Sequence, residues 1–439
     1  MKKKKNILKK KANNKTIQKP RGMKDILPSE YPYYDFVLKT AKKIFEYYNY
    51  QRIETPILEK AELFTRGVGK ETDIVHKEMY FVKTKEKGEL LTLKPEGTAA
   101  VARAYIENAL FNEPQPVKFY YFSPFFRHEK PQAQRLRQFY QVGLEAIGSD
   151  DSAIDVQIIL LSLLFLEGLG FNKKKLIIKI NSIGCSSCRH NYIRNLVKYY
   201  NSKKKSICSE CKRRIKTNPL RVLDCKNERC QSIKESAPNI LDYLCEECRG
   251  HFKSVLESLD NLGISYLLDK TLARGLDYYT RTVFEVFKED GNKTLALGGG
   301  GRYDELVRIL KGPKKAGVGV AFGVERLIEE VKLMGKKFSP PSYDIFLIQL
   351  GDKAKNIAFS LLEKFRKEGI LVGENLGKES LKNQLRYANR LKAKYVLILG
   401  QQEVIDETII LKDMTSGLQE VISLDKIIAV LKKYLENKT

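Results

Sequence analysis

The sequence contains no long apolar segment. Its longest apolar stretch, residues 158–166, is interrupted by Ser162 and ends at Glu167. Because a helix needs about 20 apolar residues to cross a bilayer, the sequence predicts a soluble protein with no membrane partner. The first residues also lack the apolar stretch of a secretory signal. We therefore expect a cytoplasmic protein.

Familiar nucleotide-binding and nucleophilic patterns are missing as well. Residues 67–72 (GVGKET) resemble the end of a P-loop, but Phe64 stands where that loop has glycine and Glu71 replaces its hydroxyl residue. The glycines of residues 317–323 are spaced GxGxxxG, which misses the dinucleotide-binding fingerprint. No Ser–His or Cys–His dyad is recognisable. These absences argue against a P-loop enzyme, a Rossmann enzyme and a covalent mechanism.

Acidic residues are few relative to basic ones. The chain has 79 Lys and Arg against 53 Asp and Glu, a formal net charge of +26. Such a surplus favours a polyanionic partner, although a lysine-rich genome would also give basic surfaces. Residues 1–19 contain nine lysines and no acid, and we predict a disordered tail there. An RNA-binding arm and an inert solubilising tail remain equally open.

The order of the predicted elements indicates an α+β protein of several domains. Short strand patterns without regular βαβ alternation fill residues 20–182 and 260–334 and predict a largely antiparallel sheet flanked by helices. A helical, cysteine-rich unit at residues 183–259 is inserted in that domain. Residues 335–342 read as a linker, and residues 343–439 as a small α/β domain.

Periodicity and turn residues predict strands at Lys118–Arg127, Arg137–Ile147, Leu176–Asn181 and Thr282–Phe287, and five elements besides. They are an extended strand with a turn at Pro20–Pro28, a helix at residues 32–50, a strand at Tyr50–Leu58, a hairpin at Tyr80–Leu93 that turns near Lys85–Gly88, and a long helix at Asp151–Leu166.

A basic hairpin at Phe125–Glu145 is the first segment that suggests chemistry. Its loop holds Arg127, Arg135 and Arg137, and guanidinium groups bind phosphate with two parallel hydrogen bonds. Phe139 on the return strand offers a ring on which a base can stack. The alternative is a basic hairpin at a solvated sheet edge.

Two further segments combine charges, tyrosines and glycines. Leu272–Glu285 (LARGLDYYTRTVFE) places an arginine and an acid beside two tyrosines; ordinary strand packing is the alternative, but buried charges are costly without a purpose. Gly298–Gly301 is a run of four glycines followed by Arg-Tyr-Asp. Such a run permits close backbone approach to a ligand, and a flexible loop is its alternative.

All eight cysteines lie in four close pairs, three of them CxxC. This spacing lets two thiolates hold one metal ion, and eight ligands suit two structural Zn²⁺ sites. Buried reduced thiols are an alternative, and disulfides are disfavoured without a secretion signal. The pairs are Cys185 with Cys188, Cys208 with Cys211, Cys225 with Cys230, and Cys245 with Cys248.

Together these segments resemble class II aminoacyl-tRNA synthetases, and specifically the histidyl-tRNA synthetase family. FRHE followed by RLRQFYQ is similar to motif 2 of the class, GVGVAFGVERL to motif 3, and the stretch around Pro56 to motif 1, which builds the dimer interface. RGLDYYTRTVFE resembles the peptide specific to the histidine enzymes. PRGMKDILP, LKPEGTAA and LKNQLRYANRLKAKYVLILG extend the resemblance over nearly everything after residue 19.

The resemblance implies roles for named residues. Arg127, Arg274 and Arg326 would stabilise the reacting phosphates and are the expected catalytic residues. ATP would be bound by Arg127, Glu129, Phe139 and Arg326. Histidine would be bound by Glu96, Thr98, Arg127, Gln141, Glu145, Arg274, Tyr278 and Tyr279. Within that set, Glu145 and Tyr279 would take the two imidazole nitrogens.

The resemblance also implies the reaction and the partners. A homodimer would use ATP and Mg²⁺ to convert L-histidine to histidyl-adenylate, and would transfer it to tRNA(His) read by a C-terminal anticodon-binding domain. Gln134 departs from the family, which commonly has glycine before the second arginine of motif 2. The alternatives are an inactive regulatory paralogue of the kind that serves ATP phosphoribosyltransferase, and a general RNA-binding protein with a zinc module.

Overall fold

The structure is a computed structural model that describes residues 16–69, 72, 74–83, 88–130, 135–291, 293–338, 343–377 and 380–436. It divides into two compact units, Met1–Lys337 and Phe338–Thr439. Most of the predicted tail, the turn residues 84–87, Gln134 and linker residues 339–342 lie outside the described residues. No helix in the part of the chain that the structure describes is long and apolar enough to span a membrane.

The first unit is built on two sheets and ten α-helices within its described residues. Its strands are β1 Gln51–Arg52, β2 Leu58–Lys60, β3 Tyr80–Lys83, β4 Leu90–Leu93, β5 Val117–Phe126, β6 Gln138–Ile147, β7 Leu176–Ser182, β8 Tyr266–Leu268, β9 Thr280–Asp290, β10 Lys293–Arg302 and β11 Gly317–Gly323. Its helices are α1 Tyr31–Tyr47, α2 Ala61–Gly67, α3 Thr98–Glu107, α4 Ser152–Gly168, α5 Ser186–Ser202, α6 Ser209–Thr217, α7 Gln231–Glu235, α8 Glu246–Asn261, α9 Leu306–Ile309 and α10 Val324–Leu333.

The main sheet has eight strands in the order β1-β5-β6-β11-β10-β9-β7-β8. The six central strands pair antiparallel, and only the edge pairs β1/β5 and β7/β8 are parallel. A small second sheet has the order β2-β4-β3. The predicted α+β class with a largely antiparallel sheet is therefore confirmed. Helices α5 to α8, which carry the cysteines, lie in the chain between β7 and β8.

Strand alternation separates the two faces of the main sheet. On β6, Val142 and Leu144 point into a core with α1, α4 and α10. In this core the ring of Phe165 lies 5.4 Å from the ring of Phe45 and 5.4 Å from that of Phe322. Burial of one such ring stabilises the fold by roughly 1.5–3 kcal/mol. The intervening residues of the same strands face the opposite side, where the cavity described below lies.

Two predicted strands differ from the structure. Pro20–Pro28 forms no strand; a turn at Arg21–Gly22 is followed by irregular backbone, and Gly22 O accepts one 2.7 Å bond from Arg137 N. Its two prolines have no N–H to donate to a neighbouring strand. Tyr50–Leu58 divides into β1 and the start of β2, with Pro56 between them, so the two halves join different sheets.

The second unit is a five-stranded sheet with helices, ordered β13-β12-β14-β15-β16. The short β-rich runs Tyr343–Gln349, Ile370–Val372 and Tyr395–Leu399 predict three strands. The corresponding strands are parallel neighbours, and the antiparallel β15 and β16, which these runs do not predict, extend the sheet. The elements are β12 Ile345–Gln349, α11 Asp352–Lys367, β13 Val372–Glu374, α12 Leu381–Arg390, β14 Tyr395–Leu399, α13 Gln401–Ile405, β15 Thr408–Asp413, β16 Gln419–Ser423 and α14 Ile427–Glu436.

Candidate active site

A cavity of about 1040 Å³ opens on the face of the main sheet opposite the phenylalanine core. Strand β11 makes room for it, because GVGVAFG has glycine or alanine at every position on the cavity side and larger residues on the core side. The structure brings ten of the eleven predicted substrate-binding residues to the cavity wall: Glu96, Thr98, Arg127, Glu129, Phe139, Gln141, Arg274, Tyr278, Tyr279 and Arg326. The eleventh, Glu145, contacts wall residues directly.

Glu145 lies beside the cavity wall with both carboxylate oxygens hydrogen-bonded. Its Oε1 accepts from the Thr98 hydroxyl at 2.7 Å, and its Oε2 accepts from the Tyr303 hydroxyl at 2.6 Å. Burial raises the pKa of Glu145 to about 8, although both hydroxyl donors favour the charged form. The group therefore gains or loses a proton near neutral pH and can act as donor or acceptor.

Glu96 lies beside this group at the start of α3. It accepts from the backbone N–H groups of Thr98 and Ala99, each at 2.8 Å, and so caps the helix. The Tyr278 hydroxyl donates to it at 3.2 Å. Burial raises the pKa of Glu96 above its ordinary value. A cationic ligand near Glu96 and Glu145 would relieve the cost of burying their charge.

The predicted histidine-specific peptide forms one side of the cavity. Tyr278 and Tyr279 are both buried, with ring centroids 4.7 Å apart. Arg274 forms an ion pair with Glu285 of β9, and its guanidinium lies 5.5 Å from the Tyr279 ring centre. The pair with Glu285 fixes the guanidinium at the cavity wall, where it lies beside the tyrosines.

Two further arginines, Arg127 and Arg326, lie at the cavity wall. Arg127 donates from Nε to Pro95 O at 2.8 Å, and its guanidinium lies 5.3 Å from the Phe139 ring centre. Arg326, in the first turn of α10, donates to Ala296 O at 2.5 Å. Burial and the nearby charge of Arg135 lower the pKa of Arg326 below its usual value. Positive groups crowded in this way are stabilised by a bound polyanion.

Glu129 and Gln141 complete the predicted set. Glu129 lies 3.4 Å from the Arg135 guanidinium at the base of the hairpin loop, whose residues 131–134 are outside the described chain. Gln141 stands on the cavity face of β6, two residues before Gly143. Arg137, also a predicted loop arginine, is absent from the cavity wall and donates to Glu129 O at 3.0 Å.

The four glycines Gly298–Gly301 lie in strand β10 and form no loop. Their backbones lie very close to those of neighbouring strands. A Cβ on Gly300, for example, would come within 2.0 Å of Gly319 O. A Cβ on Gly299 would come within 2.6 Å of Arg274 Nη1. These glycines therefore lie close to the protein's own backbone and to a cavity arginine, and the approach to a ligand stays a prediction.

Several cavity residues were not among the predicted site residues. Tyr303 belongs to the Arg-Tyr-Asp that follows the four glycines, and Glu285 is the last residue of the peptide Leu272–Glu285. Their positions in these two motifs are the sequence signal that could have identified them as cavity residues. Glu325 accepts from Tyr140 N at 2.8 Å and joins α10 to β6. Tyr121 packs its ring over Gly97 and Gly143, and nothing in its sequence neighbourhood marks it.

The eight cysteines form two clusters of four. Cluster A is Cys185, Cys188, Cys245 and Cys248, and cluster B is Cys208, Cys211, Cys225 and Cys230. Within each cluster the sulfur atoms all lie within 4.8 Å of one another. Backbone N–H groups also point at sulfur, as from Cys245 N to Cys188 Sγ at 3.1 Å. Cys208 and Cys225 of cluster B lie at the cavity wall.

Comparisons with known proteins agree with this geometry. The sequence model of histidyl-tRNA synthetase matches residues 22–327, and that of the anticodon-binding domain matches residues 344–434. The histidine–tRNA ligase of Halothermothrix orenii is 44% identical over 95% of this chain and 99% of its own length. That of Bacillus subtilis is 44% identical over 94% of this chain and 98% of its own. The crystal structure of apo histidyl-tRNA synthetase from S. aureus superimposes with a TM-score of 0.76 and 35% identity, over 94% of this chain and 99% of that one.

Proposed function

The chain belongs to the histidyl-tRNA synthetase family, and from this premise we propose that it is a histidine–tRNA ligase whose cavity performs both steps of the reaction. It activates L-histidine with ATP and then transfers it to the 3′ end of tRNA(His). The observation that carries the proposal is that one cavity wall holds both an acidic, hydroxyl-lined part around Glu96 and Thr98 and the three arginines Arg127, Arg274 and Arg326.

The acidic part reads histidine. A neutral imidazole has one N–H donor and one acceptor nitrogen, and Glu145 with Tyr279 supplies a partner for each. Tyr303 and Thr98 hold the Glu145 carboxylate in place. An amino acid with an apolar side chain would leave these buried groups unpaired, which gives strong discrimination without editing.

The histidine ammonium group binds beside Glu96, Thr98 and Gln141. Glu96 is already oriented by two backbone N–H groups at the start of α3, so its carboxylate needs little reorganisation when the ligand arrives. The positive ammonium would lower the raised pKa of Glu96 towards its ordinary value. The same contact directs the histidine carboxylate towards the three arginines.

Arg127, Arg274 and Arg326 bind the phosphates of ATP, and Phe139 and Glu129 contact the adenine side. A histidine carboxylate oxygen attacks the α-phosphorus, the bond to the bridging oxygen breaks, and pyrophosphate leaves. Arginines held by protein acceptors stabilise the charge that develops on the phosphoryl oxygens. Mg²⁺, bound with the nucleotide, would neutralise further phosphate charge, and the carboxylates of Glu129 and Glu285 are donors of the type it accepts. A terminal ribose hydroxyl of the tRNA then attacks the histidyl carbonyl, and AMP leaves.

Two structural Zn²⁺ ions belong to the proposal. A tetrahedral ion with Zn–S bonds of about 2.3 Å holds its sulfurs about 3.8 Å apart. The sulfurs of Cys185 and Cys188 are 3.6 Å apart, and those of Cys208 and Cys225 are 3.8 Å apart. Each cluster supplies four sulfurs, which fill the tetrahedral coordination of one ion and leave no position open for a substrate. These ions would therefore stabilise the fold and take no part in the reaction.

The remaining parts of the proposal concern partners and place. The unit Phe338–Thr439 would bind the tRNA anticodon, as its family match implies. The net charge of +26 supports a polyanionic partner. We also propose a cytoplasmic homodimer formed through the segment around Pro56.

Histidine-dependent exchange between ATP and pyrophosphate tests the proposal. The purified chain should catalyse this exchange, and Arg274→Ala should abolish it because it removes a phosphate-binding charge. Arg308→Ala is the matched control, since Arg308 is exposed and pairs with Glu305 at 2.6 Å. A protein that binds histidine but exchanges with no amino acid would contradict the proposal and support an inactive paralogue.

A further inference from the structure

Residues 277–281 form the segment that carries Tyr278 and Tyr279 into the cavity. On its outer side, alternate residues of this segment contact side chains of the helices that hold the cysteine clusters. Two of the contacting residues, Arg189 and Glu247, adjoin cysteines of cluster A in sequence, and the third, Asn218, follows the cluster B helix α6. Single side chains therefore connect the clusters to the segment that carries the histidine-reading tyrosines.

Arg189 makes the contact to Tyr279. It directly follows Cys188 of cluster A in the first turn of α5. Its Nη2 donates to the backbone carbonyl of Tyr279 and, at 3.4 Å, to that of Gly184. A fixed carbonyl limits rotation of the peptide at Tyr279, and this in turn limits the direction of its ring.

Arg281 contacts residues next to the second cysteine pair of cluster A, Cys245 and Cys248. It adopts a φ of 45°, a left-handed conformation that costs a non-glycine residue conformational free energy and that its neighbours must offset. Glu247, next to Cys248, forms an ion pair with its guanidinium, and His251 Nδ1 lies 3.5 Å from Nη1. Asp304 lies 3.6 Å from its Nε.

Cluster B reaches the start of the segment. Cys208 caps the N-terminus of helix α6, where its Sγ accepts from Cys211 N at 3.4 Å, and Asn218 directly follows the last residue of the helix. Asn218 Nδ2 donates to Asp277 Oδ1 at 2.6 Å. Asp277 N also donates to Val68 O at 3.1 Å, so this residue links the cluster B helix to the end of α2 in the sheet domain.

We infer that the two cysteine clusters, when filled with metal, clamp residues 277–281 from outside and thereby set the affinity for histidine. Arg189 is the main positioning residue, with Asn218 and Glu247 as its companions. The inference rests on the proposed function, because it concerns the residues proposed to read histidine.

The clamp should act on histidine far more than on ATP. Arg127 and Arg326, proposed to bind the phosphates, are held by the carbonyls of Pro95 and Ala296, which belong to the sheet domain. Arg274 is paired with Glu285 of β9. None of these three contacts involves a residue of the cysteine-bearing helices, so a loosened clamp leaves them in place.

Titration calorimetry on the full chain, with histidine and ATP measured separately, tests the inference. Arg189→Ala should weaken histidine binding about ten-fold or more, since a buried carbonyl loses its charged donor, and should change ATP binding less than about two-fold. Arg189→Lys should restore part of the loss. Asn218→Ala, at a more exposed contact, should weaken histidine binding to a smaller degree.

Arg194→Ala is the matched control, because Arg194 lies on the same helix and contacts exposed His190 at 3.0 Å. It should leave both affinities unchanged. Metal content is measured on every variant, so that a lost metal is not mistaken for a lost clamp. Equal weakening of histidine and ATP binding in Arg189→Ala would show a merely structural role, and unchanged histidine binding would also overturn the inference.

Metal removal tests whether the affinity for histidine depends on the metal ions in the clusters. Protein treated with a strong chelator should lose histidine affinity, keep its ATP affinity and recover when Zn²⁺ is returned. Stripped protein that binds histidine as well as before would overturn the metal dependence. Failure of the proposed function is distinguishable, because it would appear as absence of histidine-dependent exchange in the unmodified protein.

Discussion

The Tyr303 hydroxyl donates a 2.6 Å hydrogen bond to Glu145 Oε2, although the two residues are 158 positions apart in the chain. The residue before Tyr303 explains its fixed position. Arg302 is fully buried, forms a 2.5 Å ion pair with Asp155 of α4, and donates to Ser149 O at 2.6 Å. A buried, fully paired arginine therefore anchors the tyrosine that orients the proposed histidine-reading carboxylate.

Tyr303→Phe should weaken histidine binding roughly ten-fold or more. The substitution removes the donor to Glu145 Oε2, and leaving a buried acceptor unpaired costs about 1–3 kcal/mol. The pKa of Glu145 should rise further above about 8, because the hydrogen bond from Tyr303 is the largest contribution that lowers it. Calorimetric titration with histidine between pH 6 and 9 measures both effects.

Tyr105→Phe is the control for that substitution. Tyr105 is also fully buried, and its hydroxyl donates to Gln115 at 2.8 Å, away from the cavity wall. It should cost similar stability without changing histidine affinity. Equal histidine affinities in Tyr303→Phe and the unmodified protein would show that the Tyr303 bond has no part in recognition.

Glu145→Gln should change how stability depends on pH. The pKa of Glu145 is about 8 in the folded protein against an ordinary 4.5. Between these values the unfolded chain has released the proton that the folded protein still holds, so the stabilising contribution is full below pH 4.5 and is lost as pH rises to about 8. Glutamine does not titrate, so the variant lacks this decline.

Urea denaturation at pH 5, 6, 7 and 8 measures the free energy of unfolding of both proteins. The stability of the unmodified protein relative to the variant should fall steadily across that series. Glu325 is present in both proteins, so its raised pKa cancels in the difference. Glu96 interacts electrostatically with Glu145, so the difference also contains the effect of Glu145 on the pKa of Glu96. A difference that stays constant with pH would mean that Glu145 is not protonated in the folded state.

The sheet and its hairpins could be predicted because alternating patterns and turn residues are local. The run Gly298–Gly301 shows where local signals fail. Glycine disfavours strands, yet these residues pair with β9 and β11 because both neighbours approach too closely to leave room for a Cβ. That constraint lies in other segments of the chain, and no window around residue 300 contains it.

Site residues divide in the same way. Arg127, Arg274 and Arg326 could be predicted because they lie in long ordered motifs. Tyr303 closely follows the glycine run Gly298–Gly301 in the sequence. Its partner Glu145 is brought near only when β6 and β11 pair and the chain after β10 folds over them. The grouping of four cysteine pairs into two clusters likewise depends on tertiary contacts, since spacing alone allows other pairings.

Arg326→Lys should raise the KM for ATP and reduce the rate of exchange about 100-fold. Lysine keeps the charge but lacks the planar guanidinium fork, in which one nitrogen donates to Ala296 O while the others present N–H groups to phosphate. Histidine affinity should stay within about two-fold, because Arg326 is not among the residues proposed to bind histidine. Exchange kinetics and histidine titration separate the two effects, and a loss confined to histidine would contradict the assignment.

Metal analysis should find about two equivalents of Zn²⁺ in the freshly purified protein, one for each cysteine cluster. Cys225→Ser should reduce the content to about one, and Cys185→Ser should do the same by emptying the other cluster. The double variant should hold none. Less than about one equivalent in the unmodified protein would exclude two zinc sites, and loss of both ions in either single variant would exclude independent clusters.

Gly299→Ala should leave the protein folded and impair activation of histidine. A Cβ there would come within 2.6 Å of Arg274 Nη1 and 2.9 Å of Glu285 Cγ. Both are mobile side-chain atoms, so the chain can accommodate the methyl group by moving them. That movement breaks the ion pair that holds the Arg274 guanidinium at the cavity wall. The rate of histidine-dependent exchange should fall roughly 10- to 100-fold, as expected when a charged group is moved by about 1 Å from its productive position.

Gly250→Ala is the matched control for this substitution. Gly250 lies in α8 with open space around its Cβ position, so alanine should add about 0.5–1 kcal/mol of stability through helix propensity. Its exchange rate should equal that of the unmodified protein. Thermal unfolding compares the two variants: a large drop in melting temperature for Gly299→Ala would mean that the methyl group disrupts the sheet, whereas a normal melting temperature with slow exchange locates the defect at Arg274.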